Sequence, residues 1–376
     1  MTERRRRILL TGHNGYIGSV MTPMLIARGY ETVGLDTGYF ATCNLVEPPA
    51  RIASMDRDLR DVTAEDLRGF DGIIHLAALS NDPIGNLNEE WTAEINERGS
   101  IRLAEHARKA GVERFLFSSS CIMYGVSSND FVDETAPLSP QTVYARSKVL
   151  AEQGIAALAT DSFAPTFLRN GTVYGFSPRM RFDTVLNNLV GMAATTGQIV
   201  VHSDGTPWRP VVHVEDVCRA FLAILEAPLE TVRNEAFNVG EGTLNHQVID
   251  LARWAAEAVP DARVELRASP DADQRTYRTD FGKFKRAFPD FRWEWNAAAG
   301  AQDLATRFAE IGLTPQIFDS PRFTRLRWLR HLMDGGLLDD DLRWTGNNRG
   351  DGSGSRRSGG MGLGQGASVA RAGDRS

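Results

Sequence analysis

Near the start of the chain, a short apolar run and an amphipathic stretch are joined by Thr11-Gly12-His13-Asn14-Gly15-Tyr16-Ile17-Gly18. Glycines at this density let a backbone turn sharply and lie close to whatever faces it. A loop of this kind between a buried strand and a helix is the first joint of a βαβ unit. It commits the chain to parallel strands with helical crossovers. Ile8-Leu9-Leu10 reads as the strand, residues 16–28 as the helix, Gly29 as its stop, and residues 31–36 as the next strand.

The same rhythm runs to about residue 160. Strands are expected at 51–55, 72–76, 114–117 and 166–169. A long helix is expected from 89 to 110, stopped by Gly111, and another from Tyr144 to about 160. Past residue 175 the pattern loosens into helices at 182–196, 219–225 and 247–259, with strands at 198–201, 237–239 and 264–266. The expected class is therefore α/β, a doubly wound parallel sheet with a smaller C-terminal lobe. Residues 1–175 form the sheet domain, with returns from later segments, and 176–315 form the lobe. Residues 316–345 form a helical extension packed on the body. The Gly-, Ser- and Arg-rich stretch 346–376 has almost no apolar residues and reads as a disordered tail.

Composition excludes more than it selects. A net charge of -6 argues against a general nucleic-acid binder, and no apolar run approaches the roughly 20 residues of a membrane span. Cys43, Cys121 and Cys218 show neither metal-ligand nor disulfide spacing, which fits a reducing cytoplasm and gives no metal site. The arginines at 4–7 read as a solvated lead-in to the first strand.

The glycine loop leaves helix N–H donors free for a pyrophosphate, and Asp36 ends the second strand about twenty residues on. A carboxylate there accepts from a ribose 2′-hydroxyl and repels a 2′-phosphate, which favours NAD over NADP. Tyr144 and Lys148, four residues apart on one helix face, place a phenol beside an ammonium. The ammonium stabilises the phenolate, so the phenol can take a proton from an alcohol near neutral pH.

Glycines three apart, together with this Tyr/Lys pair, resemble the extended short-chain dehydrogenase/reductase family, and within it the nucleotide-sugar epimerases and dehydratases. The resemblance spans roughly residues 7–315 and implies a Rossmann-type sheet with a substrate-binding lobe. It implies that Gly12, Gly15, Tyr16, Ile17 and Gly18 line the NAD phosphates, that Asp58 takes the adenine amino group, and that Leu59 covers the ring. Leu76, Ala77, Ala78, Asn96 and Ser118 complete the implied cofactor contacts, with Tyr144 and Lys148 at the nicotinamide ribose. In Ser118-Ser119-Ser120-Cys121 the resemblance makes Ser120 the catalytic serine, with Tyr144 the base and then the acid, although Ser118 and Ser119 are chemically equivalent neighbours.

The residues after Ser120 bear on the reaction. The resembling dehydratases carry an Asp-Glu pair there and decarboxylases a glutamate, whereas this chain has Cys121-Ile122-Met123. Cys121 reads as a small core residue. The expected activity is thus that of an NAD-dependent nucleotide-sugar epimerase, with hydride removed at a sugar carbon, C4 in most of the family, and returned to the opposite face. A net reductase, dehydrogenase or dehydratase stands second and a non-catalytic NAD-binding regulator third.

By resemblance Arg209 clamps a nucleotide diphosphate, and Arg275, favoured over Arg278, supplies the second clamp. Asn170 and Thr172 face the sugar, although the epimerases have their asparagine at the position of Thr172. The basic stretch Ser177-Pro178-Arg179-Met180-Arg181 suggests that Arg179 meets an anionic substrate. Ser80-Asn81-Asp82-Pro83 reads as either part of the sugar pocket or a turn. Relatives of this architecture pair through two long helices, so a homodimer is expected.

Overall fold

The structure, a computed structural model, describes residues 5–80, 83, 87–126, 131–267 and 276–346. The expected tail, apart from Gly346, falls outside them.

Strands β1 (Arg7–Thr11), β2 (Glu31–Asp36), β3 (Ala53–Asp56), β4 (Gly72–His75), β5 (Arg114–Ser120) and β6 (Ala164–Asn170) form the main sheet. The lobe contributes β7 (Thr172–Tyr174), β8 (Gln198–Val201) and β9 (Trp208–His213). The chain then returns to the sheet with β10 (Glu235–Val239) before β11 (Asn245–Gln247) and β12 (Arg263–Leu266). The seven sheet strands run parallel in the order β10-β6-β5-β4-β1-β2-β3. Their order reverses between β1 and β4, which opens a crevice at the strands' carboxyl ends.

The central strands are apolar throughout because helices cover both faces. On one face Ile8, Leu10, Ile74, Leu116 and Leu168 pack on Met21 and Leu25 of α1 (Gly18–Ala27). On the other, Leu9, Ile73, Phe115 and Phe117 pack on Leu103 and Ala107 of α2 (Gly99–Ala110) and on Ala151 and Ile155 of α3 (Val143–Ala156).

Three helices differ from expectation for local reasons. The first starts at Gly18 rather than 16, because residues 12–17 form the glycine loop; Gly12 takes φ +71° and donates 2.8 Å to the Leu35 carbonyl. The helix expected over 89–110 is α-helical at Glu89–Thr92, widens to a π turn at Ala93–Arg98 and resumes as α2. A π turn shifts side chains round the axis, and this one contains the buried Asn96. The helix expected at 219–225 begins instead at Val214, capped by His213, whose ring accepts from the Glu215 amide at 3.3 Å.

In the lobe, α4 (Val185–Thr196), α6 (Val248–Glu257) and α7 (Ala297–Glu310) enclose Phe182, Leu186, Ile199, Val211 and Phe308, with α5 (Val214–Glu226) crossing back beneath the sheet. The last of the lobe helices is alanine-rich and carries few large apolar residues to mark its period. A turn at Pro321–Phe323 leads into α8 (Arg325–Asp334), and the chain to Trp344 packs on Tyr39, Leu79 and Ile95. No helix among the described residues is long and apolar enough to cross a membrane.

Candidate active site

A cleft of about 710 Å³ opens at the crevice between β1 and β4. Gly12, Gly15, Tyr16, Ile17 and Gly18 line one wall, Leu76, Ala77 and Ala78 the floor, and Asp36, Asp58 and Leu59 one end. Ser118, Ser120, Tyr144, Lys148, Asn170, Thr172 and Arg209 line the other end.

The glycine wall has room only for hydrogen. A Cβ on Gly12 would stand 2.8 Å from the Ala77 nitrogen, and one on Gly18 would collide with the Gly12 carbonyl oxygen and with the His13 backbone. At the end of β2 Asp36 accepts from the amides of Asn14 at 3.1 Å and Gly38 at 2.8 Å, one on each oxygen. Each oxygen keeps a lone pair for a ribose hydroxyl. Asp58 is occupied by Arg60, at 2.9 and 2.7 Å, and also accepts from the Arg60 amide at 2.8 Å. A cradle without side chains, a carboxylate at the end of β2 and an apolar floor fit an extended dinucleotide.

At the other end, strand alternation sorts the three serines. All three border the cleft, but the Ser119 hydroxyl points to the other side of the strand, where it donates 2.8 Å to Glu152. Ser120 Oγ accepts from the Ile122 amide at 3.3 Å, which leaves its proton to donate. Asn170 lies opposite Ser120 in the register and donates 3.1 Å to Ser118 Oγ; its Oδ1 is buried without a hydrogen-bond partner. Lys148, 4% exposed, donates 2.7 Å to the Ser118 carbonyl, with its ammonium 5.9 Å from the Tyr144 ring centre. Burial pulls the Lys148 ammonium down to about 7, against the pull of the Glu152 carboxylate.

Not every expected contact lies where resemblance suggested. Asn96 sits behind the cleft wall, where Oδ1 accepts from the Leu79 amide at 2.8 Å and Nδ2 donates to the Leu79 carbonyl at 3.0 Å. Nδ2 also reaches Ser147 at 3.4 Å, so Asn96 joins the floor to the helix of Tyr144 rather than facing a ligand. Arg179, expected at the substrate, is absent from the cleft lining and donates to the carbonyls of Phe40 and Ala41 and, at 3.4 Å, to Asn14 of the glycine loop. Arg275 lies outside the described residues, as do Asn81 and Asp82.

Beside Ser120, the Cys121 thiol is fully buried and donates 3.1 Å to the Arg169 carbonyl; burial pushes it up to about 12. Among the described residues, the carboxylates lining the cleft are Asp36 and Asp58 at one end and Asp183, which is bound to Arg181 at 2.8 Å. Sequence reasoning passed over Tyr277, packed beside Cys121, and Arg325 from the extension, both of which line the cleft. Neither sits in a spacing that announces it.

A Corynebacterium glutamicum UDP-glucose 4-epimerase is 28% identical over 330 residues, which cover 80% of this chain and 99% of the relative. The Thermotoga maritima UDP-glucose 4-epimerase with UDP-glucose matches at a TM-score of 0.71 and 26% identity, covering 81% of this chain and 99% of that one. A Streptomyces venezuelae dTDP-glucose 4,6-dehydratase with NAD bound also matches at 0.71, with 25% identity, 83% of this chain and 99% of that one covered. With residues 8–240 matching the family as a whole, this chain belongs to the NAD dependent epimerase/dehydratase family.

Proposed function

We propose that this chain is a nucleotide-sugar epimerase that inverts one carbinol carbon, C4 in the favoured reading, of a UDP-hexose or closely similar substrate. NAD supplies the hydride acceptor and donor when bound. Tyr144 takes the hydroxyl proton as the carbon is oxidised and returns it when the carbonyl is reduced. Ser120 donates a hydrogen bond to the same oxygen, and the Lys148 ammonium favours the phenolate of Tyr144. Thr172, Asn170 and Tyr277 bound the sugar, and Arg209 faces the substrate phosphates.

The observation that carries this reading is the thiol next to Ser120. Eliminating water from the sugar needs an acid and a base beside the oxidised carbon. Cys121 is buried, protonated and already donating to a carbonyl, so it serves neither role. Oxidation followed by return is the chemistry the remaining groups support. The epimerase names of the relatives point the same way.

The test is turnover of UDP-, dTDP-, GDP- and CDP-sugars with products identified by NMR. The expected result is an epimer formed without added nicotinamide and without net change in NADH absorbance. Stoichiometric NADH consumption, or loss of water from the sugar, would sink the proposal. The same reading takes the enzyme as a cytoplasmic homodimer with a substrate lobe from about residue 176. Pairing through α2 and α3 is supported by Leu150, which stands 44% exposed on α3. Sedimentation of Leu150→Glu as a monomer would support that pairing.

A further inference from the structure

Residues 321–344 cross the adenosine end of the cleft as a strap. Trp328 Nε1 donates 2.7 Å to the Tyr39 carbonyl and Trp344 Nε1 donates 2.7 Å to the Thr37 carbonyl. The Tyr39 hydroxyl donates to the Leu342 carbonyl. Arg60 donates 2.7 Å to the Asp341 carbonyl, and Arg343 lies 2.5 Å from Asp61 and 3.5 Å from Asp58. These anchors fall on the turn after Asp36 and on the segment of Asp58 and Leu59, the two pieces of chain that bound the adenosine end. The Corynebacterium relative, matched along 99% of its length, accounts for 80% of this chain. A fifth of this chain is therefore additional to it.

Thr324, Arg325 and Leu326 of the strap line the cleft, and the arginine brings a charge there. Arg325 lines the cleft and is 3% exposed; its guanidinium carbon stands 4.1 Å from the centre of the Phe40 ring. Its Nη1 is buried without a hydrogen-bond partner, as is Arg179 Nε. Arg325 Nη2 reaches the Arg179 carbonyl at 3.5 Å, Arg179 reaches Asn14 of the glycine loop at 3.4 Å, and Arg181 reaches Ser80 Oγ at 3.2 Å. Asp183 is bound to Arg181 Nε at 2.8 Å and accepts from the Arg325 main-chain amide at 3.2 Å, so one carboxylate serves two of the three arginines. Burial, and then repulsion from Arg181, pulls Arg325 down to about 10. Buried like charges in this proportion call for an anion.

The cluster's position says which anion. Arg179 reaches the glycine loop at Asn14, and Arg181 and Arg325 line the same cleft as Asp36 and Tyr144. A dinucleotide laid from Asp36 to Tyr144 has its diphosphate between those ends, against the glycine loop. We propose that Arg325 is a cofactor-binding residue supplied by the C-terminal strap, that it holds the NAD diphosphate with Arg181 while Arg179 braces the glycine loop behind them, and that NAD leaves only when the strap lifts. This rests on the NAD reading of the cleft.

The test uses the full chain and two variants, with binding rather than turnover as readout. Arg325→Met removes the charge, and Arg343→Ala releases a half-buried anchor at the rim without touching the core. Kd values for NAD and for UDP are measured by calorimetry, and the release of NADH is followed by fluorescence on chasing with excess NAD. Arg325→Met is expected to weaken NAD at least tenfold and leave UDP within twofold; Arg343→Ala is expected to speed NADH release at least threefold. NAD affinity and NADH release unchanged in both variants would overturn the proposal. So would a loss of UDP affinity in place of NAD affinity, because the cluster would then serve the substrate's diphosphate. If Arg325→Met fails to fold, Arg343→Ala decides alone. A wild-type chain that binds no NAD would instead remove the cofactor reading itself.

Discussion

Lys148 donates 2.7 Å to the main-chain carbonyl of Ser118, so the ammonium is fixed by the same strand that presents Ser120. That bond leaves the remaining Nζ–H groups for the cleft, one turn of helix below Tyr144. Tyr144→Phe is therefore expected to lower kcat by about 10²–10⁴-fold, the usual scale of general acid–base catalysis. The variant should retain NAD and fold normally. Lys148→Met should lower kcat as well and also weaken NAD. A Tyr144→Phe enzyme turning over at the wild-type rate would falsify the assignment of the base.

The three consecutive serines make a sharper test, because only their direction distinguishes them. Ser120→Ala should lower kcat about a hundredfold while leaving the melting temperature nearly unchanged. Ser119→Ala should do the opposite, since it removes a buried bond to Glu152. A loss of about 1–3 kcal/mol is expected, with kcat within a few-fold of wild type. Thermal melts beside steady-state kinetics separate the two. Equal kinetic effects at both positions would mean that the strand does not present its faces as described.

How much of this was legible beforehand follows from what each element depends on. β1, β2, the glycine loop and the helix face carrying Tyr144 and Lys148 are set by local patterning, and they stand within a few residues of expectation. The placement of Asn96 was not readable, because a π turn and a partner at Leu79 decide it. Arg179 looked like a substrate ligand in a basic stretch, and only the fold brings it to Asn14. Arg325 had no motif at all. Its role depends on where residues 321–344 dock, a long-range packing question that periodicity does not address. The choice among Ser118, Ser119 and Ser120 lay between, since strand alternation separates Ser119 but register with Asn170 is needed to see why.

Beneath the active site, Arg169 and Glu152 form a buried ion pair with side chains 7% and 10% exposed. Arg169 also donates 3.0 Å to Tyr124, and Glu152 accepts from Ser119 at 2.8 Å. Removing one partner strands the other charge in a low dielectric. Glu152→Gln is expected to cost about 3–5 kcal/mol of stability, read as a drop in denaturation midpoint. The loss should exceed that of Ser119→Ala. A Glu152→Gln protein as stable as wild type would show that the pair is not held dry.

Two deeply buried histidines, the most strongly shifted of the chain's described ones, weigh most on acid stability. His75 is gripped on both nitrogens, by Thr11 at 2.7 Å and Ser100 at 2.9 Å. Thr11 Oγ1 accepts from the Ala77 amide and Ser100 donates to the Asn96 carbonyl, so the Thr11 hydroxyl donates to Nδ1 and Nε2–H donates to Ser100. The neutral ring completes this chain, and protonating Nδ1 would break it. Burial, with the Lys148 charge adding to it, lowers His75 to about 3; burial, with Arg219 and Arg307, lowers His213 to about 3. In the unfolded chain both return to about 6.5. Between those limits the unfolded state binds more protons, so stability is complete above about pH 6.5 and falls as the pH drops below it. From about pH 7.5 to about pH 5 each histidine should remove about 2 kcal/mol. Urea denaturation across that range is the measurement, and His75→Gln should make the acid limb shallower by about half of the combined effect. An unchanged slope in that variant would mean that His75 titrates alike in the folded and unfolded chain.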